Sequence, residues 1–580
     1  MTFRAQQSES LGRHKSLFDD ALQRAEREHF VRRIWDKDAT LWKSEEAPQK
    51  IIRNALGWLT VAQWSSQRVD EMETFAREVC DTGFTHVMLF GMGGSSLCPE
   101  VFRRTFGRRE GFPELLVLDT TDPDTIADLG SRADPDGTLF VVSSKSGTTI
   151  EPLSFYQYFH EAVRAVVSTE TFPTNPGANF IAITDPGTLM ERIATEAYFR
   201  RVFLNPPDIG GRYSALSYFG TVPAALMGLD VREMLSRAVA AMDACSTSVT
   251  IRDNQGLRLG CVLGAMARAG RDKLTLVTGA EISSLGLWIE QLIAESTGKE
   301  GRGIIPIAGE LLGPPENYGN DRVFVAMHAG ELDHETDIKL QALESAGHPV
   351  VRRALSAPLD LAAEFFIWEF ATAVAGALLA INPFDQPNVQ ESKDNTNRLL
   401  DEFKSKGSLP EQHLVAAADG LKVYGAPPAA DSASPAGPVP PPDAVIRDHF
   451  ARAKPGDYIA LLAYIQETEV HDRLLQAMRT RLGSRFHVAT TTGYGPRFLH
   501  STGQLHKGGP DSGLFVQLTC DAKTDLAIPG EPYTFGVLRQ AQALGDFSSL
   551  QSKGRRAIRI HLGRDVVAGL KNLLEIVEGA

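Results

Sequence analysis

The sequence is short of cysteine, of positive charge and of unbroken apolar runs, and each shortage removes a class of function. Only five cysteines fall among 580 residues. Cys80, Cys98, Cys245, Cys261 and Cys520 form no CxxC pair and no zinc-like spacing, so neither a disulfide framework nor a cysteine metal site is expected, and reduced thiols point to the cytoplasm. Asp and Glu outnumber Lys and Arg 72 to 59, giving a net charge of -13. Nucleic-acid partners need a basic face and are not expected, although locally focused positive charge can still hold a small anion. The longest apolar stretch, Phe365 to Ile381, contains Glu369 and follows Glu364, so it reads as a buried helix and no membrane partner is expected. Arg4, Glu9, Arg13 and Lys15 leave no apolar core for a secretory signal.

What is present is a repeated alternation of short apolar runs with helical patterns. His86–Gly91, Leu115–Asp119, Phe140–Ser144, Asn179–Thr184 and Val202–Asn205 read as strands of a parallel sheet, and a second series starts with Leu274–Val277, Gly303–Ile307 and Val323–Met327. Residues 1–50 are polar, with a helix expected over Ser16–Trp35. Ala426–Val445 is rich in Pro, Ala and Ser and reads as a linker. Strand-like runs resume at Tyr458–Tyr464, His487–Thr491, Leu514–Thr519 and Ala557–Leu562. The expected organisation is an N-terminal helical segment over 1–50, one α/β unit over 51–235, the first part of a second over 236–425, a linker over 426–445, and a C-terminal part over 446–580 that completes the second sheet.

Six segments carry candidate chemistry. In FVVSSKSGTTIE, Phe140–Glu151, an apolar run breaks into hydroxyls, Lys145 and a glycine before a helix begins. The first turn of a helix offers free N–H groups and partial positive charge, so Ser144, Lys145, Ser146, Thr148 and Thr149 can cradle a phosphate; the same cluster can also be no more than a capped turn. GMGGSSL, Gly91–Leu97, lets backbone approach a ligand beside Gly94 and Ser95, but it has neither the GxGxxG spacing nor a Walker lysine. Arg212 follows two glycines in GGRYSALSYFG, a natural partner for phosphate or a developing oxyanion, or simply a surface arginine beside a turn.

In SSLGLWIEQLIAESTGK, Gln291 and Glu295 share a helix face, and Glu295 lies one turn before the helix ends at Gly298. That position, near the helix's negative pole, suits a group that must accept a proton, although most such glutamates are merely solvated. Pro387 marks a helix start with Gln386 as its N-cap and Lys393 two turns on, a lysine that could equally be an exposed salt-bridge member. His500, in RFLHSTGQLHKGG, is a candidate proton shuttle; with His506 it could also ligate a metal, but no further His or Cys ligands lie nearby and no metal is expected.

Together these segments resemble the glucose-6-phosphate isomerase family. The GxGGS loop, the S-K-[ST]-x-T-T loop, GGR[YFT]S, Q-x3-E-x2-GK and FDQ-x6-K occur here in family order, between about residues 50 and 400. The resemblance implies an α/β fold of two sugar-isomerase αβα-sandwich domains with mainly parallel sheets. It implies a sugar-phosphate substrate, no cofactor and a homodimer. It assigns the phosphate to Ser144, Ser146 and Thr149 with Ser95 nearby, C1–C2 proton transfer to Glu295, enediolate stabilisation to Arg212, and lining roles to Gln291, Gln386 and Lys393, the last helping to open the ring. One departure stands out: the family's ring-opening histidine normally precedes the Gln/Lys segment, whereas here the LHSxGQ match is Leu499–Gln504. His500 is therefore preferred to His328 and His334, in its own pocket or a partner's. The order and the stretch TGYGPRFLHSTGQLHKGGPDSG most resemble the isomerase half of fused transaldolase-isomerase proteins, with no room for the transaldolase barrel before Gly91. The alternatives are an enzyme that also accepts mannose 6-phosphate and a non-catalytic sugar-phosphate sensor.

Overall fold

The computed structural model describes residues 6–169, 172–173, 175–425 and 440–579. Most of the proline-rich stretch, 426–439, lies outside the described residues, as do residues 1–5.

The first sheet runs, edge to edge, Glu114–Leu118, His86–Phe90, Thr138–Ser143, Phe180–Thr184 and Arg201–Leu204, all parallel. Its strands are apolar on both faces because helices cover both, as parallel sheets require. The second sheet holds Ile305–Ile307, Lys273–Thr278, Arg322–Ala329 and Val350–Leu355 in parallel, with Gln6–Ser10 added antiparallel at the edge. The N-terminal segment thus begins as a strand before its helices. The helix expected over Ser16–Trp35 is broken in two, Lys15–Arg27 and Phe30–Trp35, because His29 takes a left-handed conformation with φ 55°.

The apolar helix Leu361–Leu379 is buried along its whole length and fuses the first two units into one core. Phe365 lies edge-on to Trp288 and Phe102, with ring centroids 4.7 and 5.7 Å away. Each fully buried aromatic or aliphatic side chain there contributes about 1.5–3 kcal/mol. This is the one described helix long and apolar enough to cross a membrane, and it is enclosed by protein.

The expectation that the C-terminal strands complete the second sheet is corrected. They build a third sheet, in the order Ala489–Tyr494, Tyr458–Tyr464, Gly513–Thr519 and Arg556–His561, all parallel, then Leu421–Tyr424 and Leu414–Ala418 antiparallel. The second sheet has no edge to offer: Gln6–Ser10 occupies one, and the other ends in the three-residue strand Ile305–Ile307, whose Pro306 has no N–H. The third unit instead packs Tyr458, Ala460 and Phe515 against Ile305, Ile307 and Ala294. The parallel strands, numbered within each unit, run 2-1-3-4-5 in the first sheet and 2-1-3-4 in the second and third.

Candidate active site

The loops leaving the carboxyl ends of the first sheet's strands enclose a cavity of about 1010 Å³ with residues from all three units. Ligands of open α/β sheets gather at such a place, where neighbouring crossovers part in opposite directions. Gly94, Ser95, Lys145, Ser146, Thr149, Arg212, Gln291, Glu295, Gln386, Lys393 and His500 all line it. Of the expected site residues, only Ser144 and Thr148 do not. Ser144 is buried beneath the loop, its hydroxyl 3.4 Å from that of Thr149, and Thr148 opens on an adjoining cavity of about 310 Å³.

At one end the strand Thr138–Ser143 passes through the hydroxyl loop into the helix Ile150–Val167. Ser146 and Thr149 lie within 3.3 Å of each other. Lys145 is held by Asp185 at 2.5 Å, so its charge is shared before any anion arrives. The glycine-rich loop closes the floor. A Cβ on Gly94 would fall 1.9 Å from the Gly211 carbonyl oxygen, so the two turns can meet only because residue 94 carries no side chain.

At the other end Arg212 is 2% exposed. Its Nε donates to Ser296 Oγ at 2.6 Å, Nη2 to the Pro383 and Asp385 carbonyls at 2.7 and 3.0 Å, and Nη1 to Gln386 Oε1 at 3.0 Å. Those acceptors fix the guanidinium while, among the described residues, only one carboxylate, Glu295, comes within ion-pair distance, at 3.4 Å. Glu295 sits in the last turn of the helix Leu285–Thr297 and is 6% exposed. Gln291 donates to Glu295 at 3.3 Å and to the His500 carbonyl at 2.7 Å, tying the Glu295 and His500 segments together. Gln386 is at the N-cap of the helix Pro387–Lys406, but its side chain faces Arg212 and caps nothing.

His500 reaches the pocket of its own chain. Its Nε2 is 3.0 Å from Glu151 Oε1, which also accepts from Gln542 Nε2 at 2.7 Å. Burial pushes the Glu151 carboxyl up, but His500 outweighs it and holds Glu151 below the usual glutamate range. An ionised Glu151 can only accept, so the hydrogen of this bond is on Nε2. His506 lies instead among Tyr458, Phe498 and Phe515. His328 and His334 lie away from the cavity.

Three supporting residues escaped the sequence reading. Glu151 had a visible signal, an acidic residue just inside the helix that follows the hydroxyl loop. Lys299, which ends the Glu295 motif, is 2% exposed and donates to the Asp385 carbonyl and carboxylate at 2.5 and 2.7 Å, with burial and Arg212 bringing it down to about 8. Gln504 bonds Asn388 and the Gly298 carbonyl, joining the His500 segment to the end of the Glu295 helix.

The family model for phosphoglucose isomerase matches residues 66–304, from the first unit through Arg212, Gln291 and Glu295. Residues 66–304 are thus a phosphoglucose isomerase domain. A glucose-6-phosphate isomerase of Rubrobacter xylanophilus is 29% identical over 54% of this chain and 81% of its own. A probable glucose-6-phosphate isomerase of Methanococcus maripaludis is 25% identical over 61% of this chain and 86% of its own. Among solved structures, a glucose-6-phosphate isomerase from Chlamydia trachomatis shares the fold with a TM-score of 0.55 at 18% identity, covering 70% of this chain and 90% of that one. The phosphoglucose isomerase match ends before Gln386, Lys393 and His500, which the fold brings to the same cavity as Arg212 and Glu295.

Proposed function

We propose that the chain interconverts glucose 6-phosphate and fructose 6-phosphate through a cis-enediolate. One observation carries the reading: Glu295, Arg212 and His500, drawn from three α/β units, converge on a single cavity whose far wall is the hydroxyl loop. The phosphate binds to Ser95, Ser146 and Thr149 with the first-turn N–H groups of the following helix, remote from the reacting carbons, so its binding energy orients the sugar. His500, oriented by Glu151, moves the proton between ring oxygen and O1 as the ring opens, and Lys393 lies on the same wall. Glu295 then carries the proton between C1 and C2. Arg212, already satisfied by carbonyls on one side, presents Nη1 to the oxygen on which enediolate charge develops.

A coupled assay of purified wild type and Glu295→Gln on fructose 6-phosphate tests the reading. The substitution keeps shape and hydrogen bonding but removes the base, so kcat should fall by about 10²–10⁴-fold with sugar-phosphate affinity nearly intact. Unchanged kcat would take Glu295 out of the mechanism. Binding without turnover in the wild type would make the protein a sensor, and turnover of mannose 6-phosphate would widen its substrate class.

A further inference from the structure

Behind the Glu295 helix, on the face turned away from the sugar cavity, lies a second cavity of about 480 Å³ where all three units meet. It is lined by Glu290 on that helix, by the helix's first residues, and by Gln476, Arg479 and Thr492 of the third unit. Five residues separate Glu290 from Glu295, about 140° around the helix, so the two cavities are on different sides of one element.

The polar groups around this cavity are unevenly satisfied. Arg479 is 5% exposed. Its Nη2 donates to the Ala308 and Thr490 carbonyls at 2.9 and 2.7 Å, and Nη1 makes only a 3.4 Å contact with Gln476. Its Nε has no partner, and among the described residues no carboxylate comes within ion-pair distance of it. Gln476 Nε2 and Thr492 Oγ1 are likewise buried without partners. The helix Leu285–Thr297 starts here uncapped, because the Ser284 hydroxyl is turned to Thr105 and to the Val101 carbonyl. An uncapped 13-residue helix start, a buried arginine with no carboxylate at ion-pair distance among the described residues and two idle donors all favour negative charge; Glu310, whose charge also acts on Arg479, is paired with Arg322 at 3.1 Å.

The remaining charges do not cancel this. Arg104 and Arg497 are claimed by Glu467, with Glu100 and Asp119 as their further partners. Asp472 accepts from the Tyr494 hydroxyl at 2.5 Å, and Arg473 makes no ion pair among the described residues. Burial pushes the Glu290 carboxyl up to about 7, against the pull of Arg479 and Arg497, so near neutral pH it can hold a proton and donate.

We infer that this cavity is a second ligand site, for a small metabolite bearing a phosphate or carboxylate group, held by Arg479 and the start of the Glu295 helix. Its volume exceeds what inorganic phosphate alone fills. An occupant would bear on the helix that carries Glu295 and on Ser501, next to His500. Anion binding favours the protonated form of Glu290, so affinity should fall as the pH rises through 7.

Calorimetric titration of the full chain with inorganic phosphate and with citrate tests the inference. Wild type should bind two phosphates per chain. Arg479→Gln should lose one of them, Thr149→Val the other, so the two sites fail independently. Since Arg479 also holds two carbonyls and its replacement could unfold the chain, the double variant Gln476→Leu/Thr492→Val serves as a second test, with second-site affinity expected to drop at least tenfold. A preference for citrate would assign the occupant to carboxylates, a preference for phosphate to phosphorylated metabolites. If Arg479→Gln and the double variant bind both anions as wild type does, or if wild type binds nothing that Thr149→Val does not abolish, the inference is overturned.

Discussion

At the scale of single residues the site divides its labour through environment. Arg212 and Glu295 are both buried, yet Arg212 spends most of its donors on neutral oxygens, keeping its charge available for the oxygen of the proposed enediolate. Glu151 works through His500. Its carboxylate fixes the imidazole tautomer, so Glu151→Gln should keep the ring in place but disturb which nitrogen carries the hydrogen. The expected result is a fall in kcat of about 10-fold to 100-fold on the cyclic substrate with a smaller effect on the open-chain form, and a shifted pH profile. Equal losses on both forms would remove Glu151 and His500 from ring opening. The sequence shows Glu151 but not its partner, because 349 residues separate it from His500. The hydroxyl loop and the Glu295 motif are legible for the opposite reason: each compresses its chemistry into a dozen residues.

Elements show the same division between local and distant information. The five strands of the first sheet follow from apolar runs, within a residue or two at most ends. Val350–Leu355 was missed because Arg352 and Arg353 interrupt its apolar pattern; the structure buries Arg353 completely and pairs it with Glu364 at 2.5 and 2.9 Å. Gln6–Ser10 is wholly polar, and only its pairing with Val350–Leu355 makes it a strand. The short helix Gly503–Gly508, next to His500, is another element whose role lies in its contacts. Gln504 on it satisfies a carbonyl, a backbone N–H and an amide oxygen on the two segments that carry Glu295 and Gln386. Gln504→Leu should strand those groups at a cost of about 1–3 kcal/mol and loosen His500. Thermal unfolding should show a lower Tm, and steady-state kinetics a lower kcat with little change in KM; a lower Tm with kcat intact would leave Gln504 a purely structural residue.

For the whole molecule, the third unit repeats the parallel strand order of the second and delivers His500 into the chain's own pocket, so the arrangement of Glu295, Arg212 and His500 is complete within one chain. A third sheet was not legible in the sequence because apolar runs reveal strands but not their neighbours. Beside the apolar core that Phe535 and Leu538 share with Phe155 of the first unit, a charge cluster fastens the two together: Glu467 accepts from Arg104 and Arg497, each at 2.7 Å, while Arg497 also meets Asp119 at 2.9 Å. Burial alone would raise Glu467, but Arg497 and Arg104 prevail and bring it to about 2. Since this lies below the value of about 4.3 for an unfolded glutamate, the Glu467 contribution is fully present above that pH and is lost as the pH falls toward 2. Buried Asp119, raised by burial, works in the opposite direction and offsets part of the loss. Glu467→Gln leaves Arg104 and Arg497 short of a carboxylate and should cost about 3 kcal/mol near neutral pH. Denaturant titrations from pH 7 downward should then show the gap to wild type narrowing below about pH 4.3. A gap that stays constant would mean that shape, and not charge, holds the third unit against the first.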